Sequence, residues 1–109
     1  MMKTPSTLVP FALFEVVYMI EHGFMRKGLI LDEVCNLHKT TRVRIAHGRS
    51  DFVCRPINTH LLLKALKRAG VEDVKHEYVE GAAHSNSEPR IAHRMLEYSD
   101  ELVTALEKE

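Results

Sequence analysis

Apolar residues run almost unbroken from Leu8 to Ile20, with Glu15 the single charge among them. The run predicts a helix over residues 7–22, capped by Ser6 or Thr7 and stopped at Gly23. A helix apolar on all sides needs other protein around it, so it is expected to be buried or to line a groove. Met1-Met2-Lys3 ahead of it has the outline of a leader, but Pro10 breaks the run and Glu15 sits inside it. No charge-free stretch reaches membrane-spanning length. These features predict a cytoplasmic chain that is not membrane-bound.

The pattern then changes period. After a break at Gly28, Leu31, Val34, Leu37 and His38 share one side of a short helix, with Cys35 expected in the core and His38 at the surface. Residues 42–47 and 74–79 alternate apolar and charged positions, as strands do. A central parallel strand is apolar on both faces, so these charges predict at least one face that is wet or near an edge. Between the strands, Pro56 opens a helix over Ile57–Ala69 with Ile57, Leu61, Ala65 and Leu66 as its buried stripe. Lys67 and Arg68 in its last turn and Gly70 just beyond are stop signals. Such a crossover returns the chain to a parallel neighbour. A closing helix is expected from Ser87 or Glu88 to Glu107, with Pro89 in its first turn and a stripe of Ile91, Met95, Tyr98, Leu102 and Leu106.

Composition narrows the function classes. The 109 residues are 45% hydrophobic and 28% charged, an ordinary globular balance that is enough for one domain. Lys+Arg and Asp+Glu are both 15, so no basic excess suggests nucleic acid. Neutrality near pH 7 also removes a solubility margin. Cys35 and Cys54 lack paired spacing and are expected as free thiols. The seven histidines share no metal-ligand frame, so no metal or cofactor is expected. His22, His38, His47, His60, His76 and His93 read as structural or exposed.

Asp51 and His84 stand apart. Each follows a strand and a glycine, in His47-Gly48-Arg49-Ser50-Asp51 and Glu80-Gly81-Ala82-Ala83-His84. Acid before histidine, on turns after adjacent parallel strands, is the order in α/β-hydrolase triads. The acid accepts the Nδ1 proton of the histidine, which leaves Nε2 for a nucleophile. Spacing alone makes Glu15 a solvated carboxylate.

These residues also carry a resemblance. His47-Gly48-Arg49-Ser50-Asp51-Phe52-Val53-Cys54 is similar to the "HGRYDxxC" acid loop of the proline iminopeptidases (prolyl aminopeptidases), α/β-hydrolase serine peptidases. Glu80-Gly81-Ala82-Ala83-His84-Ser85 with Glu88-Pro89 resembles their "EGAGHS…EP" histidine loop. Phe14-Glu15-Val16-Val17-Tyr18 and His22-Gly23-Phe24 resemble their "IENHYF…GF" cap segment. The likeness spans about residues 11–105. It implies Asp51 as triad acid, His84 as general base, and Glu15 as the cap carboxylate that binds the free α-ammonium of a peptide with an N-terminal proline. Cys54 would lie near the active site without being the nucleophile. The fold implied is α/β, a C-terminal fragment of an α/β-hydrolase: residues 1–40 a remnant of the helical cap, residues 41–109 its last β-α-β-α with two parallel strands.

The departures are as informative. Ala83 stands where the family has Gly, and a positive φ there would now be strained. Val17 and Met19 replace a His and a Phe of the cap. Gly-x-Ser-x-Gly does not occur, nor does a His-Gly-Gly oxyanion segment. Two strands make a marginal sheet, and helices without their usual layers leave apolar faces open. The expectation is a piece of an N-terminal prolyl peptidase that is inactive alone. The alternative is a non-catalytic remnant acting as an interaction module, its exposed apolar faces covered by self-association or a partner.

Overall fold

The computed structural model describes residues 5–85 and 87–108. The chain forms two units, Met1–Ile30 and Leu31–Glu109.

The first unit is α1 (Pro5–Ile20) and a tight turn at His22–Phe24. The described helix already includes Pro5, so Ser6 and Thr7 lie within it instead of capping it. It also runs straight through Pro10, at the loss of one backbone hydrogen bond. Val9, Leu13, Phe14, Val16, Val17, Tyr18, Met19 and Ile20 are all exposed, so the expectation of a buried helix is not met within the described residues. Glu15 is exposed among them. After Ile20 the chain reverses through three successive left-handed residues, His22 (φ 53°), Gly23 (φ 63°) and Phe24 (φ 57°). Only the glycine takes this conformation without strain. The reversal sets the Phe24 ring edge-on to Tyr18, which stacks on Phe14, each pair of centroids 5.9 Å apart.

α2 (Leu29–Glu33) spans the division between the units and tightens into a 3₁₀ turn at Val34–Asn36. The tighter winding shifts the phase of the short helix, so Val34 is buried and Cys35, expected in the core, is exposed.

In the second unit β1 (Val43–Gly48) and β2 (Val74–Val79) pair in parallel in one unbroken register, Val43 beside Val74 through Gly48 beside Val79. α3 (Ile57–Arg68) makes the crossover and α4 (Pro89–Glu107) follows β2. The result is a small α/β unit with helices on both faces of a two-stranded sheet. Val43, Ile45 and Val74 pack with Leu62, Ala65, Leu66 and Ala69 of α3 and its end, together with Val34 and Val71. The alternate positions face α4, where Ala46 joins Val79, Ala82 and Ile91.

One expectation about this unit changes, that of the buried helix stripes. The α3 stripe is Thr59, Leu62, Ala65 and Leu66, while Ile57 and Leu61 are exposed. The sheet is only two strands wide and covers a narrower arc of the helix than a full sheet would. On α4, Ile91 and Tyr98 are buried, but Met95 and Leu106 stay open for the same reason. The alternating strand charges, expected on a face that is wet or near an edge, do lie on edge strands, with the Lys75 side chain 57% exposed, and they are ion-paired there. Arg44, with a side chain only 6% exposed, pairs with Asp73 at 2.8 Å and Glu101 at 3.2 Å and donates to the carbonyls of Val43 and Asp73. Lys75 reaches the same Glu101, and Arg94 forks onto both oxygens of Glu77 at 2.8 and 3.1 Å. The α4 face of the sheet is therefore half ionic. Guanidinium forks suit this role because each partner's remaining lone pairs are used.

Among the described residues no helix is long and apolar enough to cross a membrane.

Candidate functional site

The site is made where both strands end. Beyond β1 the backbone stays laced to the neighbouring segment: Arg49 N–H donates to the Val79 carbonyl and Ser50 N–H to the Ala82 carbonyl, both at 3.0 Å. Asp51 N–H turns back to the Gly48 carbonyl at 3.1 Å. This lacing depends on Gly48. A Cβ built there would lie 2.0 Å from the Ala83 carbonyl oxygen and 2.6 Å from that of Ala82. Glycine is needed at this position for close backbone approach, with no demand for a positive φ.

The lacing brings Asp51 and His84 together. Asp51 is 5% exposed. Its Oδ1 accepts the backbone N–H groups of Val53 and Cys54, at 3.0 and 2.8 Å. Its Oδ2 faces His84 Nδ1 at 3.1 Å. The His84 side chain is 52% exposed, and among the described residues its Nε2 has no hydrogen-bond partner. A buried carboxylate that fixes one imidazole nitrogen and leaves the other open is an arrangement that can accept or give a proton at Nε2. No described serine hydroxyl bonds to His84.

Two supports hold the pair in place. His47 Nε2 lies 2.6 Å from the Cys54 carbonyl, which only accepts, so this nitrogen carries the proton. The same nitrogen is 3.4 Å from Asp51 Oδ2, and Nδ1 meets the hydroxyl of buried Thr59 at 2.5 Å. The ring thus ties the acid loop to α3. On the other side, Glu88 Oε1 accepts the Ala83 N–H at 3.0 Å and anchors the histidine loop to the start of α4. Ala83 is not among the residues with positive φ, so the strain conditional on that geometry does not arise. Gly81 is the left-handed residue of this loop, at φ 71°.

The other site candidates are placed as follows. Cys54 touches the pair through its backbone, and its thiol is exposed. Glu15 belongs to α1, in the first unit. Of the remaining histidines, His22, His38, His60, His76 and His93 are exposed, His38 bonding Thr40 and His93 bonding Glu97. The sequence marked Glu88 only as part of a motif, and nothing in it pointed to Thr59 as the partner of His47.

Burial pushes the Asp51 carboxyl up, but the hydrogen bonds from Cys54, His84 and Val53 together outweigh it and leave it below the ordinary carboxylate value of 3.8. A depressed folded value means that the charged form stabilises the fold above the ordinary value. That contribution is lost as the pH falls from 3.8 through the lower folded value. Asp51→Asn is therefore expected to flatten the acid side of a stability–pH profile below 3.8. Urea unfolding at stepped pH tests this. A variant with the same acid slope as the parent would remove Asp51 from the account.

Compared with protein-family models, curated proteins and solved structures, the chain matches none.

Proposed function

We propose that Asp51 and His84 are the acid and general base of a serine-hydrolase triad of the prolyl aminopeptidase kind, and that the nucleophile comes from outside this 109-residue sequence. The observation that supports this most is the 3.1 Å contact between a buried Asp51 Oδ2 and Nδ1 of an exposed His84. In the proposed reaction His84 Nε2 takes the proton of an incoming serine, and Asp51 stabilises the imidazolium that forms. A positioned base without a nucleophile hydrolyses no peptide by this route. Glu15, under the same reading, binds the α-ammonium of the N-terminal proline.

The pure chain is expected to show no turnover of an N-terminal prolyl amide above a His84→Ala control, and no labelling by a fluorophosphonate. Turnover that His84→Ala abolishes would mean that this chain holds its own nucleophile. Labelling of a longer or associated species on a serine outside this sequence would support the proposal.

A second reading, a non-catalytic interaction module, draws on the exposed Phe14, Tyr18 and Phe24 cluster. Under that reading His84→Ala leaves partner capture unchanged.

A further inference from the structure

A two-stranded sheet has two open edges, and they differ in chemistry. β1 carries the cation Arg44 and no acid, so a second β1 offers nothing opposite in sign. β2 reads Val74-Lys75-His76-Glu77-Tyr78-Val79, with a cation and an acid placed evenly about His76. It is free of proline, pairs with β1 without a bulge over its whole length, and is bonded on one side only among the described residues. A groove of about 590 Å³, lined by Glu77–Glu80 of the strand and by Pro89, Arg90, His93 and Arg94 of α4, runs beside its second half.

We infer that the free edge of β2 is a self-association surface, and that its occupant is β2 of a second copy. The two strands run antiparallel about a twofold axis at His76. In that register Lys75 lies opposite Glu77 of the second copy, and this pair occurs twice. Val74 lies opposite Tyr78, also twice, on the other face. Residues directly opposite in an antiparallel pair share a face and sit close enough to interact. Charges on an edge strand ordinarily discourage pairing. Here the alternation of sign reverses that effect in one register only. Centring on Lys75 or on Glu77 sets like charges face to face, and a twofold centred between residues would pair positions that lie on different faces of the sheet, which the pleat does not allow. The side chains of Lys75 and Glu77 are 57% and 39% exposed, so both can reach across while keeping Glu101 and Arg94 on the α4 side. The assembly is a four-stranded sheet in the order β1-β2-β2-β1, with backbone hydrogen bonds supplying its central seam. This surface does not depend on the catalytic role of Asp51 or His84.

Sedimentation and light scattering of the full chain test it. The parent is expected at twice the mass of one chain at micromolar to millimolar concentration. Lys75→Glu places four acids at the seam and Glu77→Lys four cations, so each variant alone should dissociate at least tenfold more readily. Mixed in equal amounts, the two restore every opposite-sign pair and should return to a dimer, with circular dichroism confirming that both are folded. As a second measurement, His76→Cys in a chain also carrying Cys35→Ser and Cys54→Ser should oxidise to a disulfide-linked dimer, because position 76 meets itself across the axis. A parent that stays monomeric overturns the proposal. So does association that neither charge variant weakens, which would place the contact elsewhere, for instance on α1. A mixture that stays monomeric, or a His76→Cys chain that forms no linked dimer, overturns the register.

Discussion

Gly48→Ala is expected to cost about 3 kcal/mol or more in the stability of the second unit, at the upper end of what overpacking does. A methyl group there would sit 2.0 Å from the Ala83 oxygen, and the obstacle is backbone, which has no rotamer to escape into. Relief requires the 82–83 segment to withdraw from β1. Withdrawal breaks the bonds from Arg49 to Val79 and from Ser50 to Ala82, and with them the approach of His84 to Asp51. One added methyl group should therefore lower the urea midpoint and also erase the Asp51–His84 contact. Imidazole nitrogen resonances of His84 report that contact. A midpoint within about 0.5 kcal/mol of the parent, the range of ordinary surface changes, would show that the loop yields freely and that Gly48 does not set the site.

Leu66→Ala should be comparable or larger, about 2–5 kcal/mol, because the side chain is only 2% exposed and no neighbour is free to refill the space. For a small domain, whose whole stability is about 5–15 kcal/mol, that is a large share. The effect reaches the site through α3. Leu66 pins this helix to Val43 and Ile45, and the same helix carries Thr59, the partner of His47. Leu61→Ala is the matched control. Sequence periodicity puts Leu61 in the buried stripe, whereas the structure leaves it exposed, so its truncation should stay within about 0.5 kcal/mol. Equal losses from both variants would mean that α3 turns a different face to the sheet.

The outline of the second unit was legible because its signals are local. Pro56, the Lys67-Arg68 pair and Gly70 bound α3 to within a residue, and Glu88-Pro89 marks the start of α4. Strand alternation located β2 in full and β1 to within one residue. The same alternation marked a face near the sheet edge, where these charges do lie, but not what they pair with. Arg44, Lys75 and Glu77 share that face and meet Glu101 and Arg94 of a helix far away in the chain. No local rule pairs residues across that separation. α1 did mislead: its composition demands cover, while its exposure shows how little these described residues supply.

The site divides in the same way. The sequence alone singled out Asp51 and His84, an acid and a histidine each after a strand and a glycine, and the structure brings the two within 3.1 Å of each other. It also determined their order, and so the end of the sheet at which both emerge. Only the tertiary structure decided that Gly48 is needed for the absence of a side chain, that His47 latches the acid loop to Thr59, and that Glu88 fastens the histidine loop. Each of these depends on a distance between segments that are separate in the chain. Periodicity and propensity describe neighbours along the chain, and such distances are set only when the layers pack.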